Sequence, residues 1–378
     1  MKRKIYLMRH GNPGEEGNPR RCLGTTDVSL SDNGKKQLYK YKNFVNGLGW
    51  KKVYVSPMKR CRQTAECLGI GQSDAIVKDD LREMAGGIWE NLPFSEIKEK
   101  YPDLYEARGK AFGTFAVEGA ESFFKAGKRF AKCMDEIRKE SEEDILVIAH
   151  AGVIRGYLCL LCGKSLDYVM DFSIPYGGIT ILEETEGNLM IEVVGILPIE
   201  ALDGEAIKGF YRECKTPEPV ILHMKKVAEV VLQIMKESQA PGLFDESEIE
   251  LVYKAALLHD VRRTEKNHAT KSAEYIRKKG YPQIANLIVM HHSDVLSAKN
   301  KLELHEILFY ADKLVQGDRI VSIEERFEKS FEKCKGIPEA EEKHHRLYQK
   351  TIEIEKKLDE NLLINNNENL IIKRNDCC

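Results

Sequence analysis

The sequence predicts two domains, an α/β domain followed by an all-α helical bundle. Its 378 residues correspond to about two domains of ordinary size. Residues 1–198 alternate short apolar runs with amphipathic segments, which is typical of a largely parallel sheet between helical layers. Residues 219–335 carry almost only the three- and four-residue apolar spacing of helices.

Short β-branched runs predict the buried strands of the first domain. These runs are Ile5–Met8, Val53–Val55 and Ile145–Ala149. Helical stretches such as Ser31–Leu48 and Gln63–Leu68 lie between them. Ile179–Glu183 and Leu189–Val194 flank the turn residues Glu186-Gly187-Asn188, and we therefore expect a hairpin that closes the domain.

The pattern changes at residues 199–218, where turn signals containing glycine and proline interrupt the periodicity, and we place a linker there. Apolar spacing then predicts four helices. They are His223–Met235, Glu246–His259, Ala269–Lys279 and Ile284–His291. Residues 336–378 predict a polar helical tail that packs either on the second domain or on a partner.

Composition excludes several classes of partner. Lys and Arg number 58 against 60 for Asp and Glu, and the formal net charge of −2 gives no general attraction to nucleic acid or anionic membranes. No run approaches the ~18 to 20 apolar residues of a membrane span, and the basic start Met1–Lys4 precedes too short an apolar run for a signal peptide. We expect a cytoplasmic protein with reduced cysteines.

Two histidines follow predicted strands of the first domain. Arg9-His10-Gly11 follows the first strand, and His150 follows Ile145–Ala149, which places both at the sheet edge where α/β proteins bind ligands. Arg60 and Glu83 lie in nearby segments. Neutral imidazole is a nucleophile, arginine binds phosphoryl oxygens and a carboxyl group protonates a leaving group. A single strand-end histidine is more often structural, so the combination predicts metal-free phosphoryl transfer.

These segments resemble the histidine phosphatase (phosphoglycerate mutase-like) superfamily over residues 3–198. The motifs are Arg9–Gly11, Leu30–Gly34, Ser56–Ala65, Leu81–Glu90 and Ala149–Arg155. The resemblance implies a three-layer α/β fold, His10 as the phosphorylated nucleophile and Glu83 as the proton donor. The phosphate pocket that it implies consists of Arg9, Arg60 and His150. The resemblance implies no cofactor for this domain. We expect Asn12, which follows the Arg9–Gly11 motif, to contact the substrate. The segment Arg21–Leu30 is most similar to the α-ribazole phosphatase branch.

Histidines and aspartates recur on or beside the helices of the second domain. They are His223, His259, Asp260, His268, His291, His292 and Asp312. Such side chains, projecting from facing helices, hold metal ions in bundles, and a mixed His and Asp set suits iron, manganese, zinc or similar divalent cations. One His-Asp pair alone would be read as structural, so the prediction of a metal site depends on the whole set.

This spacing resembles the HD-domain phosphohydrolase superfamily over residues 218–335. The primary metal ligands that it implies are His223, His259, Asp260 and Asp312. His268, His291 and His292 match the extra histidines of members with two metals, but His268 follows His259 closely, so a second ion stays open. Which of His291 and His292 faces inward also stays open. Lys313 suits a phosphate contact, whereas Arg262 and Arg263 are interpreted as a solvated helix face.

The sequence therefore predicts a bifunctional phosphohydrolase of phosphorylated small molecules or nucleotides. An alternative is a histidine phosphatase regulated by an HD sensor domain that binds metal or nucleotide without turnover. A non-catalytic scaffold is disfavoured, because burying so many charged groups without a function is costly. We expect neither nucleic acid nor membrane as a partner, and the sequence leaves a homo-oligomer open.

Overall fold

A computed structural model describes four stretches of the chain. These are residues 2–14, 19–236, 244–291 and 302–361. The chain forms two compact units, Met1–Ala201 and Leu202–Cys378. The predicted metal ligand His292 lies outside the described residues. No helix within the described stretches is long and apolar enough to cross a membrane.

A six-stranded sheet forms the centre of the first unit. Its strands are β1 (Lys2–Arg9), β2 (Lys52–Val55), β3 (Ala75–Val77), β4 (Ile145–Ala149), β5 (Ile179–Thr185) and β6 (Asn188–Ile196). The order is β3-β2-β4-β1-β5-β6, with β1 to β4 parallel and β5 and β6 antiparallel at one side. The predicted strands and the closing hairpin are confirmed, whereas the short edge strand β3 was not predicted.

Helices cover both faces of this sheet. The helices described in the first unit are α1 (Asp32–Gly47), α2 (Lys59–Cys67), α3 (Phe94–Lys100), α4 (Pro102–Lys110), α5 (Phe123–Glu140) and α6 (Ala151–Leu161). Ile5 and Leu7 of β1 pack in one core cluster with α5 and α6. The intervening Tyr6 points to the opposite face, where its hydroxyl donates to the Leu48 carbonyl at the end of α1. The alternation produces the expected three layers.

The parallel strands bring the two strand-end histidines together. Arg9 of β1 pairs with Ala149 of β4, so both strands end at the same edge of the sheet. The backbone N–H of His10 donates to the Ala149 carbonyl at 3.0 Å. His10 and His150 therefore follow adjacent strands directly, as the sequence predicts.

The second unit is the predicted helical bundle. Its helices are α7 (Gly204–Cys214), α8 (Glu218–Lys236), α9 (Glu246–Ala256), α10 (His268–Lys278), α11 (Pro282–Met290), α12 (Leu304–Lys313), α13 (Ile323–Phe331) and α14 (Pro338–Asn361). Two short strands of two residues each, β7 (Val315–Gln316) and β8 (Arg319–Ile320), form an antiparallel hairpin. The segment predicted as a linker contains α7, whose Tyr211 hydroxyl donates to the Leu257 carbonyl at 2.7 Å.

The tail helix α14 packs on α12 through buried polar contacts. Lys357 of α14 lies 2.8 Å from the carboxylate of Glu306, which is completely buried. The Tyr310 hydroxyl donates to Glu355 at 2.9 Å. Of the two alternatives left open by the sequence, this part of the tail therefore packs on the second unit.

Candidate active site and metal centre

His10 has the protonation and orientation that a nucleophile needs. Its Nδ1 lies 2.7 Å from the Gly11 carbonyl oxygen, which can only accept, so Nδ1 carries the proton and Nε2 keeps its lone pair. Burial holds the pKa of His10 well below its ordinary value near 6.5, and the charges of Arg9 and Arg60 act in the same direction. The neutral imidazole is therefore the stable form at neutral pH.

Arg9 presents a guanidinium beside His10. The group lies 3.6 Å above the ring of Tyr176, and its Nη1 donates to the Ile174 carbonyl at 2.7 Å. Its Nε is buried and makes no hydrogen bond to any residue of the described ranges. Burial lowers the pKa of Arg9 to about 10, so the guanidinium remains charged at neutral pH.

Arg60 and His150 form a completely buried pair next to His10. The Nε of Arg60 donates to Nδ1 of His150 at 3.2 Å, and Nε2 of His150 lies 2.8 Å from the Ser56 hydroxyl. Because arginine only donates, His150 must carry its proton on Nε2. The rings of His150 and His10 have centroids 5.1 Å apart. Two further N–H groups of Arg60 donate to the carbonyls of Gly24 and Thr26, each at 2.9 Å.

Glu83 lies at the N-terminus of α6. Its Oε2 accepts the N–H of Gly152 at 3.0 Å, and its Oε1 accepts those of Val153 and Met84, each at 3.0 Å. These donors and the positive end of the helix dipole stabilise a carboxylate. In this state Glu83 is an acceptor, and it must gain a proton before it can donate one.

An open cleft of about 720 Å³ leads to His10. Predicted site residues along its wall are Arg9, His10, Asn12 and Glu83. Four further arginines line it, namely Arg20, Arg21, Arg108 and Arg155. The Arg108 guanidinium lies 4.3 Å from the Phe112 ring and makes no hydrogen bond or ion pair within the described part of the chain. The cleft thus offers positive charge for an anionic substrate.

The structure brings the predicted phosphatase residues together in two layers. Arg9, His10, Asn12 and Glu83 line the cleft, whereas Arg60 and His150 are completely buried beside His10 and do not line it. Their direct contact with a phosphate therefore stays a prediction. Arg62, two residues further along α2, is exposed.

Three histidine side chains of the second unit lie close together, and backbone carbonyl groups fix the orientation of two of their rings. His223 and His259 each place Nδ1 against a carbonyl oxygen, that of Gly317 at 3.0 Å and that of Ala256 at 2.8 Å. Such contacts fix the orientation of metal-binding histidines and leave Nε2 as the ligand atom. The ring of His291, which is completely buried, lies 4.9 Å from that of His259.

The donor set fits a divalent cation. Ligand atoms of His223, His259 and Asp260 lie within 4.8 Å of one another. Oδ1 of Asp312 lies 3.1 Å from Nε2 of His223 and 3.7 Å from Nε2 of His259. The Nε2 atom of His259 is buried and makes no hydrogen bond to any described residue, which a metal ion would remedy.

Basic side chains occupy two edges of this site. Nζ of Lys313 lies 2.7 Å from Oδ2 of Asp312. Although burial alone would raise the pKa of Asp312, Lys313 and then His223 hold it well below its ordinary value. Nη1 of Arg263 lies 2.5 Å from Nε2 of His268 and 3.3 Å from Oδ2 of Asp260. The Arg263 side chain is 48% exposed, as its interpretation as solvated predicts, and it reaches the site from this exposed position.

Several residues near the sites were not assigned from the sequence. Tyr176 stacks on Arg9, Ser56 accepts from His150, and Arg108 lines the cleft. Ser56 lies in a motif that the sequence did single out, but nothing local shows that its hydroxyl would meet His150. Tyr176 and Arg108 carry no local signal, because their roles depend on contacts between distant segments.

Comparison with protein families identifies both units. Residues 5–196, or 192 of 378, match the family model of the histidine phosphatase superfamily (branch 1), and the chain belongs to this superfamily. Residues 220–317 match the model of the HD domain. The predicted family resemblance and fold class are thus confirmed.

Named relatives align with the first unit. Rat 6-phosphofructo-2-kinase/fructose-2,6-bisphosphatase 1 is 32% identical over 203 residues, which cover 53% of this chain and 41% of the rat protein. The match thus spans about two fifths of that relative. Phosphoserine phosphatase 1 of Hydrogenobacter thermophilus is 26% identical over 50% of this chain and 90% of its own length.

Solved structures also align with about half of the chain. Mycobacterial glucosyl-3-phosphoglycerate phosphatase aligns with a TM-score of 0.46 and 20% identity over 52% of this chain and 99% of its own. A candidate α-ribazole-5'-P phosphatase from Escherichia coli K-12 gives a TM-score of 0.46 and 20% identity over 51% of this chain and 96% of its own.

Proposed function

We propose that the chain is a bifunctional phosphohydrolase. The first unit hydrolyses phosphomonoesters without a metal through a phosphohistidine at His10. The HD unit hydrolyses a phosphate ester of a nucleotide or small metabolite and depends on a divalent metal. The observation that best supports the metal-free reaction is that His10 is neutral and that its Nε2 keeps a lone pair. Burial and the charges of two nearby arginines keep the pKa of this histidine low.

Nucleophilic attack by Nε2 of His10 on phosphorus starts the reaction. Glu83 lies on the wall of the same cleft and, in its protonated form, is the general acid of this step. Glu83 then donates its proton to the departing oxygen. Arg9, Arg60 and His150 stabilise the charge on the phosphoryl oxygens, and water subsequently cleaves the phosphohistidine.

The charge of the cleft supports a small phosphorylated metabolite as the substrate. Arg20, Arg108 and Arg155 line the wall around the reacting group. The relatives named fructose-2,6-bisphosphatase and phosphoserine phosphatase act on compounds of this class, which supports the same choice here. Asn12, also on the wall, is a further candidate for contact with the substrate.

The primary ligand set of the HD site is His223, His259, Asp260 and Asp312. His268, His291 and His292 remain candidates for a second ion. A divalent metal bound there supplies activation of water and charge neutralisation at the phosphate. Lys313 holds one oxygen of Asp312 so that the other faces the histidines, and a contact between Lys313 and the substrate phosphate stays a proposal.

A regulatory HD domain is the second candidate. Lys313 is paired with Asp312, and Arg263 with Asp260 and His268. Both basic groups are thus engaged by residues of the site itself, and this observation supports binding without turnover.

Phosphate release from a panel of phosphomonoesters and nucleotides, with and without a strong chelator, tests the proposal. His10→Ala should abolish release that resists the chelator, and Asp260→Asn should abolish release that the chelator inhibits. Release that resists the chelator and also survives His10→Ala would contradict the phosphohistidine route. If Asp260→Asn instead changes only the chelator-resistant activity, the HD domain is regulatory.

A further inference from the structure

Glu90 lies outside the proposed reacting groups but accepts an unusual number of hydrogen bonds. Its Oε1 accepts the N–H of Gly24 at 2.8 Å, and both the N–H and the hydroxyl of Thr26 at 3.0 and 2.7 Å. Its Oε2 accepts the N–H of Gly86 at 2.9 Å and lies 3.4 Å from the Thr25 hydroxyl. All of these partners are donors, so the side chain is held as a carboxylate.

The protonation of Glu90 agrees with this geometry. Burial alone would raise the pKa of Glu90, but the hydrogen bonds from Thr26, Gly86 and Gly24 lower it below its ordinary value. The group is therefore negatively charged throughout the neutral range.

The loop that Glu90 fixes also holds Arg60. The carbonyl oxygens of Gly24 and Thr26 accept from Nη2 and Nη1 of Arg60, each at 2.9 Å. These two bonds and the bond from Nε to His150 use three of the five N–H groups of a guanidinium. The proposed function assigns the other two to phosphoryl oxygens. The position of the loop thus decides where the Arg60 charge lies relative to His10 and His150.

The loop approaches Glu90 so closely that position 24 has no room for a side chain. A Cβ atom at Gly24 would lie 2.3 Å from the Met84 carbonyl oxygen and 2.7 Å from Oε2 of Glu90. The N–H of Cys22 also donates to the Leu92 carbonyl, which ties the start of the loop to the segment after Glu90. Without the carboxylate, this tie at Cys22 remains, but the residues that contact Arg60 lose their fixed position.

We propose that Glu90 is a positioning residue for phosphoryl transfer, because it fixes the Gly24–Thr26 loop whose carbonyls hold Arg60 against His150. The inference rests on the proposed function of the first unit. Glu90 touches no reacting atom in this account. It acts through Arg60, and removing it should therefore matter only while Arg60 is present.

The variant Glu90→Gln keeps the size of the side chain but turns an amide N–H₂ toward backbone donors. We expect kcat/KM for chelator-resistant hydrolysis of p-nitrophenyl phosphate to fall about 10- to 100-fold, as is typical for the loss of support around a functional group. Glu66→Gln is the matched control, since it removes the same charge from an exposed position on α2 and should stay within about twofold of wild type.

A double-mutant cycle separates positioning from general damage. In the Arg60→Lys variant, the lysine lacks the planar guanidinium that donates to both loop carbonyls. Adding Glu90→Gln to that variant should therefore lower kcat/KM less than about threefold. Equal losses in both backgrounds would overturn the inference, as would a Glu90→Gln enzyme as active as Glu66→Gln. His10→Ala separates failure of the proposed function from failure of the inference. Full activity in His10→Ala overturns both. Loss of activity in His10→Ala together with full activity in Glu90→Gln overturns only the inference.

Discussion

Replacing Gly152 with alanine should remove the proton-donor role proposed for Glu83 while leaving the nucleophile in place. A Cβ atom at Gly152 would lie 2.5 Å from Oε1 of Glu83 and 3.0 Å from its carboxyl carbon. Ordinary contact begins near 3.4 Å, so the carboxylate must move by about 0.9 Å, the difference between 3.4 and 2.5 Å. Gly152 lies within α6 and its φ is not positive, so alanine suits the backbone itself.

The magnitude follows from the displacement. A misplacement of about 1 Å costs on the order of 100-fold in rate, and general acid catalysis contributes about 10²- to 10⁴-fold. We therefore expect kcat for an alkyl phosphate, whose leaving oxygen needs a proton, to fall about 100-fold, or about 2.7 kcal/mol in barrier height. For p-nitrophenyl phosphate, whose leaving group departs as an anion, the loss should stay within about threefold.

Steady-state hydrolysis of both substrates in the presence of a chelator is the assay. Glu83→Gln should reproduce the same dependence on the leaving group. Gly47→Ala is the control at the end of α1, because a Cβ atom there meets nothing within 4 Å. An equal loss with both substrates, or none with either, would refute the assignment of Glu83 as the acid.

Three further predictions concern pH, metal binding and the tail helix. Because burial lowers the pKa of His10, the unfolded chain binds a proton at this residue below about pH 6.5 that the folded chain lacks. His10 alone should therefore remove up to about 1.4 kcal/mol of unfolding free energy per pH unit below that value, and His10→Gln should lose less than wild type in urea titrations between about pH 5 and pH 8. Asp312→Asn should weaken Mn²⁺ binding at least about tenfold by calorimetry, and unchanged affinity would exclude Asp312 as a ligand. Lys357→Met should lower the unfolding free energy by about 3 kcal/mol, because it removes the positive charge that lies against the buried Glu306 carboxylate, whereas Lys356→Met at an exposed position should change it by no more than about 0.5 kcal/mol.

Local sequence patterns were sufficient to predict those strands and site residues whose positions depend on one short segment. The run Ile5–Met8 is apolar and β-branched in part, so both the strand and the place of His10 at its end follow from the sequence. The same holds for Ile145–Ala149 and His150. The spacing of His223, His259 and Asp260 likewise anticipated side chains that the bundle brings together.

Contacts between distant segments could not be derived in this way. Arg60 was predicted to bind phosphate, but its burial and its bonds to Gly24 and Thr26 depend on a loop 34 to 36 residues away. The stacking of Tyr176 on Arg9 requires the packed domain. Arg263 was interpreted as solvated and is exposed, but its contacts with Asp260 and His268 depend on the turn after α9 and could not be read from the local pattern.

The most direct test of the account is the capture of a phosphoenzyme. Wild-type protein with chelator is mixed with a ³²P-labelled phosphomonoester that it hydrolyses, quenched in alkali within the first turnover, and mapped by mass spectrometry. The account predicts a single phosphohistidine at His10, absent from His10→Ala and accumulating when water attack is slower than its formation. Label on another residue, or chelator-resistant turnover that passes through no phosphoenzyme under any quench time, would contradict it.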